Sequence, residues 1–187
     1  MSLMLDDCSD GELAALALTG RQSAYTALLA RYREPVFRVV RATIGDIDAA
    51  VDVTQETFVS AFAALKSYDS ERPFKTWISR IAINKCRDWA RRRAVRRFFS
   101  FALSIEAAAN VADDTFTADQ QISDRAELAR VQAAIASLPQ AIREPLVLRT
   151  IEGMTQAEAS QVLGISEKAV ETRLYRARGQ LSELLRV

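Results

Sequence analysis

Glycine and proline together supply only ten of the 187 residues (6 Gly, 4 Pro), well below the roughly 12% of average usage. A chain with so few turn residues cannot make the many tight reversals of a β-sandwich or barrel. The scarcity points to helices. Apolar residues make up 49% and charged residues 26%, the balance of a folded globular protein and not of a disordered one. The length allows one domain or two small ones.

Apolar periodicity places the helices. Asp10–Leu18 reads as a short helix. Ser23–Thr43 carries Tyr25, Leu28, Leu29, Tyr32, Val36, Val39 and Val40 at spacings of three and four, with Pro35 set to bend or split it. Ala49–Leu65 is a third helix, with Val51, Phe58, Phe62 and Leu65 on one side. The loop 66–73 ends it. A fourth runs from Phe74 to about Arg93, with Ile78, Ile81, Ala82, Cys86 and Trp89 as its core stripe. Residues 95–124 lose the helical period and read as a linker with a sticky aromatic front, Phe98, Phe99 and Phe101. From Leu128 the period returns through Ile135, Leu138, Ile142, Leu146 and Ile151, with Pro145 awkwardly placed.

Several function classes are excluded or weakened at once. There is no histidine, which removes the commonest general base and metal ligand. The two cysteines, Cys8 and Cys86, show no metal or redox spacing. No metal or small-molecule cofactor is expected. No apolar run approaches the ~18 residues of a membrane span, and Met1–Glu12 is acidic where a secretory signal would be basic. A cytoplasmic, non-enzymatic protein is the expectation.

The net charge of +1 conceals strong asymmetry. Asp46, Asp48, Asp52 and Glu56 form an acidic stretch. From Arg72 to Arg97 there are ten basic residues and one acid, Asp88. Ser104–Glu127 then holds six acids against Arg125, and the C-terminal end turns basic again through Lys168, Arg173, Arg176 and Arg178. Two basic zones with interleaved aromatics suggest two nucleic-acid-facing modules. Solvated helix faces would also be charged, but would not need the aromatics.

Two places carry chemistry. Thr155-Gln-Ala-Glu158 is a capping box, Gly164 supplies a tight turn and Ser166 caps a second helix to about Leu184. Short helix, glycine turn and longer helix make a helix-turn-helix, distinguished from a plain helical hairpin by the two caps and the turn. Val170 and Leu174 face inward, leaving Lys168, Glu171, Thr172, Tyr175, Arg176 and Arg178 outward. The other place is Asp52–Trp89. Asp52 and Glu56 lie one turn apart and repel DNA, so they suit a basic protein partner. Arg80, Asn84, Arg87 and Arg91 form one basic stripe. Tyr68, Phe74 and Trp77 gather at the loop before it, and aromatic faces with cations suit unpaired bases, which stack at ~1–3 kcal/mol each.

These residues resemble the extracytoplasmic-function (ECF) group of bacterial RNA polymerase sigma factors, small relatives of sigma-70. Asp52-Val-Thr-Gln-Glu-Thr-Phe58 resembles that family's D-x-x-Q-E-x-F segment. Residues 73–85 resemble its F-x-x-W-L-x-R-I-A-x-N segment. Leu138-Pro139, Arg143, Gly153-Met-Thr155, Leu163–Ser166 and Arg173–Arg178 resemble its second domain.

The resemblance implies an all-α chain of two small helical domains: sigma region 2 (1–95), a flexible linker (96–126) threading toward the polymerase cleft, and sigma region 4 (127–187). It implies that Asp52, Gln55, Glu56 and Phe58 meet the β′ clamp helices of core RNA polymerase. Tyr68, Phe74, Lys75, Trp77, Arg80, Asn84, Arg87 and Asp88 would melt and hold the promoter −10 element. Lys168, Glu171, Thr172, Arg173, Tyr175 and Arg176 would read the −35 element, beside the β flap. Glu171 departs from the basic or polar residue common there. An acid accepts from cytosine N4 but repels phosphate. The resemblance further implies a monomer that binds DNA weakly when free and is held by a membrane-anchored anti-sigma factor. The rival expectation is an autonomous helix-turn-helix repressor or activator, which would need a dimer and a palindromic site. A helical adaptor would leave both basic zones unexplained.

Overall fold

The computed structural model describes residues 5–103 and 121–186, and among these there is no strand. Four helices form a first unit: α1 (Asp10–Leu18), α2 (Gln22–Ile44), α3 (Ile47–Ala63) and α4 (Phe74–Leu103). Ser9 opens α1 with a capping box closed by Glu12. Asp46 opens α3 by accepting from the Ala49 N–H at 3.0 Å. Between them α2 ends on Gly45 at φ +72°, a left-handed position that glycine adopts without strain. Pro35 stays inside α2. The core gathers Leu13, Leu28, Val36, Val40, Phe58, Leu65, Phe74 and Ile78, all at most 5% exposed.

The second unit holds α5 (Gln121–Ser137), α6 (Gln140–Leu146), α7 (Gln156–Leu163) and α8 (Glu167–Leu185). A π turn over Val147–Ile151 follows α6 and closes with the Glu152 N–H donating to the Val147 carbonyl at 3.2 Å. It follows Pro145, which lacks the N–H to continue the ordinary ladder, and it sets Glu152 at the edge of the unit. The predicted helix-turn-helix is present. Thr155 and Glu158 form the capping box, Gly164 takes φ 68°, and Ser166 accepts from the Ala169 N–H at 3.2 Å.

Three expectations change. Helix α4 runs to Leu103, through the stretch read as non-helical. Alanine and arginine are good helix formers and carry it past the core, with Phe98 and Phe99 70% and 60% exposed. Helix α5 likewise begins inside that stretch, whose centre, residues 104–120, lies outside the described residues. Val51 is 45% exposed and belongs to the outer face of α3, not to the core side.

The two units pack on each other. Val39 of α2 and Ile83 of α4, 1% and 0% exposed, belong to the second unit's hydrophobic cluster with Leu138, Leu146 and Met154. Full burial of such side chains contributes ~1.5–3 kcal/mol each.

The Glu158 carboxylate accepts from the Thr155 N–H at 2.7 Å and from the Thr155 hydroxyl at 2.8 Å, and the two bonds, the backbone one first, hold its pKa below the usual range. A lowered folded pKa contributes stability above the ordinary carboxylate range and loses it as pH falls through the folded value. Thr155→Ala should destabilise the second unit by ~1 kcal/mol at neutral pH. The deficit should shrink in acid, as chemical denaturation at both pH values would show.

Candidate nucleic-acid and protein interfaces

Helix α3 presents Asp48, Val51, Asp52, Gln55 and Val59 to solvent. Two acids nearby are met by α4: Glu56 pairs with Arg92 at 3.2 Å, and Asp46 with Arg93 at 3.9 Å. Exposed pairs of this kind are worth ~0–1 kcal/mol and yield readily to a competing partner. Asp52 and Gln55 are exposed and Glu56 half-buried, so one face can offer all three. Phe58, 5% exposed, is not on that face. It sits at i+6 from Asp52, on the core side, and supports the helix from behind.

The loop 66–73 delivers the aromatic group. Tyr68 and Phe74 meet edge to face with centroids 5.1 Å apart. Trp77 lies 5.3 Å from Tyr68 and 5.3 Å from Phe74. The Tyr68 hydroxyl donates to the Arg72 carbonyl at 2.7 Å, pinning the loop, and burial raises its pKa. Phe74 is 0% exposed. It therefore offers no face to a base, contrary to the sequence expectation, and instead seats the half-buried Tyr68 and Trp77.

The basic stripe on α4 divides. Arg80 and Asn84 are exposed. Asp88 accepts from Arg91 across one turn. Arg87 is one-third exposed and is turned onto the second unit. Its Nε donates to Glu144 Oε1 at 2.9 Å and its Nη2 to Glu144 Oε2 at 2.6 Å. The Glu144 hydrogen bonds hold the Arg87 guanidinium above its usual pKa. Lys75 is also engaged. Its Nζ stands 3.1 Å from Glu152 Oε1 and donates to the Glu152 carbonyl at 2.8 Å. Arg38 approaches the same carboxylate at 3.5 Å. Arg41 donates to Gln132 Oε1 at 2.9 Å. Glu144, Glu152, Arg38 and Arg41 were not among the expected functional residues.

On α8, Lys168, Glu171, Thr172, Tyr175 and Arg176 are exposed and Arg173 is half-buried. Tyr175 stands 80% exposed. The Thr172 hydroxyl donates to the Lys168 carbonyl at 2.9 Å. Gln156 of α7 donates to the Glu167 carbonyl at 3.0 Å and ties the turn to the start of α8. Cys86 is a core thiol whose pKa is pushed up to about 12 by burial, the opposite of a reactive thiolate. Among the described residues no group of three or more Cys, Asp or Glu is placed to hold a metal ion, and no helix is long and apolar enough to cross a membrane.

A four-helix unit with an acidic face, joined to a helix-turn-helix unit, defines a class, and the chain belongs to the sigma-70 family: the Sigma-70 region 2 model matches residues 28–96 and the Sigma-70, region 4 model residues 128–181. It is a sigma factor of the ECF group. It is 44% identical to the RNA polymerase sigma factor CnrH of Cupriavidus metallidurans over 181 residues, 95% of this chain and 94% of that one. The sigma factor NccH of Alcaligenes xylosoxydans xylosoxydans is 37% identical, over 97% of each chain. Among solved structures, that of CnrH in complex with the cytosolic domain of CnrY matches at a TM-score of 0.69 and 38% identity, covering 94% of this chain and 96% of that one. Sigma factors are not enzymes, and the autonomous repressor falls away as a rival.

Proposed function

We propose that the acidic face of α3 (Asp52, Gln55, Glu56) docks on the β′ clamp helices of core polymerase. Tyr68, Trp77, Lys75, Arg80, Asn84, Arg87 and Asp88 then receive the melted −10 strand. Lys168, Glu171, Thr172, Arg173, Tyr175 and Arg176 read the −35 element, with the β flap alongside. Residues 1–95 and 127–187 are the two working domains, joined through 96–126. The observation that carries this reading is the opposition of charge and chemistry. The first unit carries exposed acids on α3 together with half-buried rings and basic residues over 68–88, and the second carries an exposed recognition helix. An acidic face fits a protein, and cations with half-buried rings fit single-stranded bases.

An anti-sigma factor is the regulator that suits this chain. CnrH was solved with the cytosolic domain of CnrY, and a domain so named fits a partner whose remainder is held in a membrane.

Run-off transcription with core polymerase on a promoter library tests the proposal. Transcripts sharing −35 and −10 elements are expected only when the protein is added. Asp52→Ala should weaken core binding about fivefold, a loss of roughly 1 kcal/mol. Arg176→Ala should lower −35-dependent initiation by ~1–3 kcal/mol of lost contact while leaving core binding intact. Transcripts that ignore the −35 sequence, or core binding indifferent to Asp52, would overturn these assignments.

A further inference from the structure

We propose that Glu144 and Glu152 are internal counter-ions that latch the two units together, so that the free chain occupies with its own carboxylates two cations of the −10 face. This rests on the assignment of Lys75 and Arg87 to promoter binding.

Both carboxylates belong to the second unit, and both side chains are almost wholly buried, at 3% and 2% exposure. A buried carboxylate is costly unless paired and hydrogen-bonded. Each ion pair of these two acids reaches across the seam: Arg87 for Glu144, Lys75 and Arg38 for Glu152. Within its own unit Glu144 gains one further bond, from Gln140 Nε2 at 2.8 Å. The two latches flank an apolar seam formed by Val39 and Ile83. At its rim, helices α2 and α5 come so near that a Cβ on Gly45 would stand 2.5 Å from the Ala136 Cβ.

The arrangement is asymmetric. The recognition face of α8 stays open while Lys75 and Arg87 are taken. It is also reversible. When the units part, both carboxylates regain water, so the pairs hold the closed form about as firmly as an apolar contact would, while neutralising one partner strands the other and favours the open form. What they supply is selectivity: the same cations are paired with a carboxylate in the closed form and with phosphate on a polyanion. DNA phosphates compete for the same groups, and a ligand that needs the open form binds more weakly by the fraction open.

The test uses the full chain carrying Glu144→Gln with Glu152→Gln, and separately Ala136→Trp, which wedges the seam without touching either acid. Small-angle scattering reads compactness. Anisotropy of a fluorescein-labelled single-stranded oligonucleotide, carrying the non-template −10 sequence found by run-off, reads access. Both variants should show a larger radius of gyration than the parent and bind the oligonucleotide about tenfold more tightly. Binding of a −35 duplex should be unchanged. Unchanged compactness in the glutamine variant would overturn the latch. Expansion without tighter oligonucleotide binding would overturn the competition for cations. If the assignment of Lys75 and Arg87 to the −10 element were wrong, Lys75→Ala with Arg87→Ala would leave run-off transcription unchanged, a result independent of the scattering.

Discussion

Phe74→Ala is expected to destabilise the first unit by ~3–5 kcal/mol, the range for truncating a fully buried aromatic ring. Phe74 is the first residue of α4 and is 0% exposed. Its ring contacts three others: Tyr32 at 5.0 Å, Tyr68 at 5.1 Å and Trp77 at 5.3 Å. Aromatic pairs contribute ~0.5–1.5 kcal/mol beyond their area, so a cavity here forfeits packing on several sides at once. The damage should also reach function, because Tyr68 and Trp77 lean on this ring. Urea denaturation gives the stability. Indole fluorescence of Trp77, compared in a Trp89→Phe background, reports whether its seat has loosened. A cost below ~1 kcal/mol would show that the ring is not the keystone of this corner.

How far the sequence carried the reading depends on how local each signal was. Caps and turns are local, so Thr155, Glu158, Gly164 and Ser166 announced helix ends that the structure has in place. The aromatic cluster was legible because Tyr68, Phe74 and Trp77 are neighbours along the chain. Burial within that cluster was not, because a ring that stacks on a base and a ring that seats it share the same spacing. Val51 failed for a related reason. A valine on an acidic helix face looks like core until the neighbouring helices show which side they cover. The extension of α4 was hidden by its composition, since exposed Phe98 and Phe99 suggested a loop while the arginines and alanines around them sustained the helix. Pro145 left the course of its helix open, and the π turn that follows it is a compromise no periodicity announces. The seam between the units had no signature at all. Arg87 and Glu144 are 57 positions apart, and Lys75 and Glu152 77, so only the packed chain brings them together.

That seam yields the second large effect. Arg87→Met alone should cost ~3 kcal/mol, the lower end of the range for stranding a buried charge. The lower end applies because a third of the Arg87 side chain is exposed while Glu144 is 3% exposed, and opening the seam lets the stranded carboxylate reach water. Glu144→Leu alone should cost less, ~1 kcal/mol, because the guanidinium left behind already touches solvent. The double variant should be close to the parent or more stable, since an apolar pair of similar volume avoids desolvating two charges. Denaturation of the four proteins closes the cycle, and a double variant as unstable as the two single losses combined would refute the pairing. Function separates from stability at this point. The double variant should remain compact, yet it lacks the Arg87 cation and should initiate transcription poorly. The glutamine variants of Glu144 and Glu152 keep that cation and should open. An apolar latch would hold the units as firmly as the charged one, but it would leave nothing for DNA to take, and a seam built on cations of the −10 face is the kind that promoter binding itself can undo.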